Sequence, residues 1–178
     1  MDKHPVNHYK YCPRCAAKGI FNAHELAFKC NACGFEFYLN ASAAVAALIE
    51  NDRGELLLAR RGVNPHKGKL DLPGGFVDAL ESAEQAVMRE IKEELDVEPD
   101  RIEYFGSFPN EYDFSGTIVY TVDLAFKCTV SNFSTLKYRD DIEGIVFIKP
   151  EKIDFGEVAF HSIKKIIQKF QNEQHNRK

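Results

Sequence analysis

Apolar positions along this chain repeat in two ways, and each predicts a different element. Small apolar residues run from Ala41 to Glu50 (ASAAVAALIE), which suits a buried strand although the alanines leave a helix open. Asn51-Asp52-Arg53-Gly54 reads as a turn, and Glu55 to Arg61 as a second strand, so the two predict a hairpin. Gly62 to Lys69 is a polar loop, and Leu70-Asp71-Leu72-Pro73 is a short extended piece. At Ala83, Ala86, Val87, Ile91 and Leu95 the repeat becomes helical. Ser82 suits the N-cap of that helix, and Gln85 three residues on completes a capping box. Strand character returns from Arg101 to Phe108, followed by a loop over residues 109–116 that carries two aromatics. From Thr117 to Val130 the pattern alternates, with Ile118, Tyr120, Val122, Leu124, Phe126 and Cys128 on one face. A loop over 131–143 and a short strand from Ile145 to Ile148 come next. Ile163, Ile166, Ile167 and Phe170 mark an amphipathic terminal helix from about Glu157 to Gln171, with a frayed end beyond it.

Residues 1–10 are polar and read as a flexible start, and the stretch that follows is set by cysteine instead of periodicity. Cys12-Pro13-Arg14-Cys15 and Cys30-Asn31-Ala32-Cys33 are two CxxC pairs fourteen residues apart, the spacing of a zinc site. Four thiolates close a tetrahedron around Zn²⁺ and leave no open position for chemistry, so the site is structural. The segment between the pairs should return as a hairpin, and Gly34 suits a tight turn. Two disulfides would be out of place in a reducing compartment. A redox CxxC would not account for two pairs. Residues 1–39 therefore read as a zinc ribbon and 40–178 as the main domain. A module this small draws its folding free energy mainly from the metal. Phe28, Phe35, Phe37 and Tyr38 offer an apolar face for packing on the next domain. The fifth cysteine, Cys128, suits a small apolar core position.

The predicted helix at Ser82 carries the chemistry. Glu90 and Glu94 are four residues apart and stack on one face beside Val87, with Glu93 alongside. Like charges at this spacing cost roughly 0.2–0.5 kcal/mol per pair, and they crowd the helix end whose dipole favours cations. A solvated acidic face is the ordinary outcome of such a run. Gly74-Gly75 just upstream, where backbone can approach a ligand, favours a bound cation instead, and hard oxygen donors suit Mg²⁺ or Mn²⁺.

Gly75, Glu81 and Arg89-Glu90-Ile91-Lys92-Glu93-Glu94, at this spacing, resemble the signature of the Nudix hydrolases. One position departs, because Asp96 stands where the family usually has glycine at the helix C-cap. Asp tolerates the left-handed cap conformation better than most residues. The resemblance implies an α/β fold, a Nudix-like α/β/α sandwich with a mixed β-sheet. It implies a catalytic divalent cation held by Glu90, Glu93, Glu94 and the Gly75 carbonyl, with Glu81 and Arg89 bracing loop against helix. Glu93 would be third ligand or base, and Glu143 or Asp141 from a later loop competes for the role of base. Arg60 and Arg61 would face substrate phosphates, and Tyr112 could stack on a base or ribose. The implied reaction is hydrolysis of a nucleoside diphosphate linked to a group X, of the NADH, ADP-ribose or nucleotide-sugar type. A house-cleaning hydrolase of modified nucleoside triphosphates stays open, as does a nucleotide-sensing regulator with a Nudix-like pocket. Zinc ribbon followed by this box resembles the NADH pyrophosphatase branch, which also carries an SQPWPFP run; here the region reads Ser107-Phe108-Pro109-Asn110-Glu111-Tyr112 and the chain has no tryptophan.

Charge and composition narrow the partners. A net charge of −4 argues against a general nucleic-acid binder, and the ribbon's slight positive excess is too small to alter that. No apolar run approaches the roughly 20 residues a membrane span needs, and no signal sequence is visible, so the cytoplasm is the expected location. Dimers are common in the resembling family, which leaves a homodimer open.

Overall fold

The structure, a computed structural model, describes residues 8–18, 20–24 and 27–176. Residues 1–7 of the expected flexible start and 177–178 of the expected frayed end lie outside the described residues. The chain divides into two compact units, Met1–Ser42 with Glu111–Tyr120, and Ala43–Asn110 with Thr121–Lys178.

In the first unit β1 (Ile20–His24), β2 (Ala27–Cys30) and β3 (Glu36–Tyr38) form an antiparallel sheet in that order. The expected hairpin between the cysteine pairs is β1–β2, with Ile20 opposite Cys30. Phe28 sits opposite Phe37 on β3, and their rings stack at 5.2 Å. Of the four aromatics expected to form an apolar face, Phe28 is buried, Phe35 is half-buried, and Phe37 and Tyr38 are exposed.

The second unit holds most of two further three-stranded sheets, of which residues 42, 111–114 and 117–120 are grouped with the first unit. Strands β4 (Ser42–Ile49), β8 (Thr117–Thr129) and β7 (Arg101–Phe114) pair in the order β4-β8-β7, and β6 (Leu70–Asp71), β5 (Leu56–Arg61) and β9 (Ile142–Ile148) in the order β6-β5-β9. The expected β4–β5 hairpin does not form as a paired ladder. Its turn forms as predicted, with Asn51 Oδ1 accepting the Arg53 and Glu55 N–H groups at 3.0 Å and Gly54 at φ 68°. The strands meet only at a Glu50–Leu56 bridge and then part into separate sheets. Both strands are apolar on both faces, so each needs cover on two sides, and β5 finds its partner in β9 from Leu56–Ile148 to Arg61–Ile142.

Two other boundaries differ from the sequence pattern. The expected loop over 109–116 is strand up to Phe114, and the chain reverses at Ser115 and Gly116, both with positive φ (53° and 81°). Two left-handed residues match the twist of a tight hairpin. Pro109 is tolerated because β7 is an edge strand. The terminal helix α2 runs His161–His175, later than expected, because Glu157 to Ala159 are held as extended chain beside Leu70. Val158 pairs with Leu70 in parallel while the other strand pairs of that sheet are antiparallel, giving a mixed sheet.

Helix α1 (Ala83–Leu95) buries Ala86, Val87, Ile91 and Leu95 in one core with Val45, Ala47 and Ile49 of β4, Leu57 and Ala59 of β5, and Phe126 and Cys128 of β8. Cys128 is therefore an apolar core residue, as its sequence context suggests, and burial pushes its thiol up to about 12. Alternation places Ala46, Leu48 and Lys127 on the opposite face, where Lys127 pairs with Glu173 of α2 at 2.6 Å. The two helices thus cover the β4-β8-β7 sheet from opposite sides. The polar face of β8 is also buried: Thr121 donates to Asp123 at 2.7 Å, and both are shielded from solvent.

Candidate active site

The loop into α1 is fixed by backbone. Residues 73–77 run along β4, with Val45 N–H donating to the Gly75 carbonyl at 2.8 Å, Ala47 N–H to Pro73 at 2.8 Å, and Val77 N–H to Ala43 at 3.0 Å. That approach requires glycine: a Cβ on Gly74, at φ 148°, would lie 2.0 Å from the Val45 carbonyl oxygen. A Cβ on Gly75 would lie 2.4 Å from Glu90 Oε1, so the loop backbone is set directly against the helix carboxylate. The helix begins with the predicted box: Gln85 N–H donates to Ser82 Oγ at 3.2 Å, and Ser82 N–H to Gln85 Oε1 at 2.9 Å.

Arg89 joins loop and helix. Its Nε and Nη2 donate to the two oxygens of Glu81 at 2.9 and 3.0 Å, and Nη2 also reaches the Phe76 carbonyl at 3.0 Å. Its Nη1 bridges Glu90 Oε1 at 2.7 Å and Glu93 Oε2 at 3.1 Å. Hydrogen bonding by Arg89, with help from the Asp78 N–H, holds the Glu81 carboxyl below the usual range. The bidentate pair is the strong kind of ionic hydrogen bond.

Glu94 is only 8% exposed, and its Oε2 accepts the Gly74 N–H at 3.0 Å. Burial pushes its carboxyl up to about 9; the Gly74 N–H opposes this, and the charges of Glu90, Asp71 and Asp140 add to it. Burial also raises Glu90, against Arg89, with Glu93 and Asp140 adding. Three carboxylates on one helix, two of them shielded and mutually repelling, want positive charge beside them. Arg89 supplies one share of it. The remaining donor set is hard oxygen and fits a divalent cation of the Mg²⁺ or Mn²⁺ kind.

The other sequence-derived residues are less gathered. Arg60 Nη1 donates to the Gly68 carbonyl at 2.5 Å. Arg61 pairs with buried Asp71 at 2.8 Å, donates to the Pro65 carbonyl at 2.9 Å, and lies over the Phe160 ring at 4.8 Å. Both arginines therefore hold the 62–69 loop. Tyr112 belongs to the other compact unit, where its ring stacks on Phe114 at 5.8 Å. Glu143 lies 3.9 Å from Lys67, and the Asp141 carbonyl accepts the Gly62 N–H at 2.7 Å. Asp140, not singled out in the sequence, is the smallest of the named contributors to the raised Glu90 and Glu94, after burial and their nearer partners. Its only sequence signal was membership of the Asp140-Asp141-Ile142-Glu143 run. An open cleft of about 450 Å³ lined by residues including Leu48, Lys127 and Glu173 shares no residue with the carboxylate helix.

The four cysteines form a separate centre. Their sulfurs all lie within 4.8 Å of one another, with Cys12–Cys33 at 3.8 Å and Cys15–Cys30 at 3.7 Å, and none is in a disulfide. A tetrahedral ion with metal–sulfur bonds of about 2.3 Å has sulfur–sulfur edges of about 3.8 Å, so the spacing fits. Two similar knuckles present them: Ala16 N–H returns to the Cys12 carbonyl at 2.9 Å and Gly34 N–H to Cys30 at 2.8 Å, with Ala16 and Gly34 both left-handed. Within this group of thiols the Cys33 N–H, aided by that of Ala32, lowers Cys30 to about 7, whereas Cys15, although the Ala17 N–H favours its thiolate, is raised to about 12 by Cys33 and its other neighbours.

The NUDIX domain model matches residues 41–173. The NAD-capped RNA hydrolase NudC of Vibrio atlanticus (strain LGP32) is 29% identical over 134 residues, covering 75% of this chain and 49% of that protein. The protein of the same name from Pseudomonas aeruginosa (strain LESB58) is 35% identical over 102 residues, covering 57% and 36%. The chain spans about half or less of the length of these curated relatives. The crystal structure of a NUDIX hydrolase from Nitrosomonas europaea shares the fold at a TM-score of 0.72 and 21% identity, covering 94% of this chain and 93% of that one.

Proposed function

This chain is a member of the NUDIX family, and on that premise we propose that it is a metal-dependent pyrophosphohydrolase that cleaves the diphosphate linkage of a nucleoside diphosphate joined to a group X. An NAD-type dinucleotide is the favoured substrate, a choice supported by the curated relatives named as NAD-capped RNA hydrolases. The observation that carries the reaction class is the seating of Glu90 and Glu94 against the glycine loop, Glu94 on the Gly74 N–H and Glu90 against Gly75.

Glu90, Glu93, Glu94 and the Gly75 carbonyl would hold the cation. When bound, Mg²⁺ or Mn²⁺ supplies the charge that lets a diphosphate approach these carboxylates and draws electron density from phosphorus. Glu81 and Arg89 keep the loop at its distance from the helix. Glu93 or Glu143, both exposed, takes the proton of the water that attacks one phosphorus. The bond from that phosphorus to the bridging oxygen breaks, giving a nucleoside monophosphate and phosphorylated X. Arg60 and Arg61 serve the substrate by shaping the 62–69 loop, and Tyr112 offers a ring to a base. Zn²⁺ is assigned to Cys12, Cys15, Cys30 and Cys33 as a structural ion. In this reading the protein works in the cytoplasm, where thiols stay reduced. No helix among the described residues is long and apolar enough to cross a membrane.

One observation favours a second set of substrates. The chain has no tryptophan, and residues 107–112 do not form the proline- and tryptophan-bearing run of the dinucleotide branch. ADP-ribose, nucleotide sugars and modified triphosphates are the alternatives. A panel of NADH, ADP-ribose, a nucleotide sugar and an oxidised triphosphate, each with Mg²⁺ or Mn²⁺, separates them by kcat/KM. NADH is expected to lead; no turnover on any of the four would remove the enzyme reading.

A further inference from the structure

The four sulfurs of the cysteine centre differ in what can reach them. Cys12 and Cys30 are buried, at 3% and 1% exposure, whereas Cys15 and Cys33 are exposed. Each exposed sulfur has a buried one from the opposite knuckle beside it. Cys33 Sγ lies 3.8 Å from Cys12 Sγ, and Cys15 Sγ lies 3.7 Å from Cys30 Sγ. In both halves of the centre, a sulfur open to a dissolved oxidant thus stands against one shielded from it. Reactive cysteines are exposed and held as thiolate, and metal ligation keeps all four in that form.

Little besides these sulfurs holds the ribbon together. Its strands are five, four and three residues long. Apart from cysteines, its buried apolar side chains among the described residues are Ala27 and Phe28. Units below about 40 residues ordinarily need a metal, disulfides or a partner in order to fold. The tip of the β7–β8 hairpin, Glu111–Tyr120, belongs to the same compact unit. The support that the ribbon lends to this tip therefore depends on the four thiolates. Cys128 takes no part, because it lies in the core packed on α1.

We propose that the cysteine centre is a redox-sensitive switch, in which hydrogen peroxide converts the four thiolates into two disulfides between knuckles, Cys12–Cys33 and Cys15–Cys30, and the β7–β8 tip loosens. The exposed thiolate of Cys15 or Cys33 attacks one oxygen of the peroxide. The O–O bond breaks, leaving a sulfenic acid on sulfur and releasing hydroxide. The buried thiolate opposite then attacks that sulfur, so that an S–S bond forms and the S–O bond breaks with loss of a second hydroxide. Each pair of thiolates is oxidised by two electrons and one peroxide is reduced, so two peroxides use all four sulfurs and no donor remains for Zn²⁺. A dithiol reductant reverses the reaction. The switch does not rest on the hydrolase reading, since it is read from zinc, sulfur pairing and amide exchange.

Peroxide titration of the zinc-loaded full chain tests it, with a chelating dye to count zinc. About two equivalents of peroxide should release about one of zinc. Trypsin cuts after Arg14 and so separates Cys12 from Cys15, while Cys30 and Cys33 stay in one peptide. That peptide should carry both of the others, and fragmentation between Cys30 and Cys33 should assign Cys12 to Cys33 and Cys15 to Cys30. Amide hydrogen exchange of residues 111–120 should quicken about tenfold or more, with α1 unchanged. A dithiol with added zinc should restore the starting state. Disulfides within the CxxC pairs, sulfonic acids without disulfides, zinc retained against an excess of peroxide, or unchanged exchange in residues 111–120 would each overturn the switch.

Discussion

At Gly75 and Asp71 single atoms decide how the site is set. A methyl group on Gly75 would meet Glu90 Oε1 at 2.4 Å, and that oxygen is the end of a side chain that can swing away. Gly75→Ala should therefore lower kcat by about tenfold or more while moving the melting temperature little, as kinetics and calorimetry on one preparation can show. Asp71 is buried beside Arg61, and burial outweighs that pairing, raising its carboxyl from 3.8 to about 6. The folded state holds this proton more tightly than the unfolded chain. Its contribution to stability is fully present below the unfolded value and is lost as pH rises through about 6. Denaturant unfolding of wild type and Asp71→Asn should diverge across that interval by up to about 3 kcal/mol, the wild type weakening with rising pH relative to the variant. The signature carboxylates were legible in sequence because helical spacing alone puts Glu90 over Glu94. Asp71, Asp123 and Asp140 were not, because their burial or placement depends on partners from other elements.

Among the elements, α1 was read almost to the residue. Both of its ends are local: a capping box within four residues at the start, and a left-handed Asp96 at the finish. Ser82→Ala removes one half of the box and should cost about 1 kcal/mol in unfolding free energy, read as a lower denaturant midpoint at unchanged slope. The β4–β5 hairpin fails to form for the opposite reason. The turn is local and forms, but which sheet each strand joins depends on β8 and β9, far along the chain. Strand β7 continues past its expected end at Phe108 to Phe114, and the edge position that tolerates Pro109 within it is a property of the sheet. The ribbon was legible from cysteine spacing, and its β1–β2 return follows from it. Its stability should depend on the ion. A strong chelator at neutral pH should release about one equivalent of zinc and expose residues 8–40 to protease, while Cys15→Ala should purify with less than half an equivalent by elemental analysis.

Over the whole molecule, the NUDIX match and the carboxylate helix fall together within residues 41–173. The cysteine centre lies in the other compact unit, as does Tyr112 at the tip of the β7–β8 hairpin. Sequence spacing reveals the reaction class because catalysis needs a few oxygens at fixed intervals. Substrate choice is less legible because it depends on side chains drawn from separate stretches, of which Arg60 and Arg61 prove to hold a loop. The most direct test of the central claim is product analysis of NADH hydrolysis with Mg²⁺, for wild type and Glu94→Gln. AMP and reduced nicotinamide mononucleotide are expected from wild type, with kcat at least about 100-fold lower in the variant. Full turnover by Glu94→Gln, or release of nicotinamide instead of AMP, would contradict it.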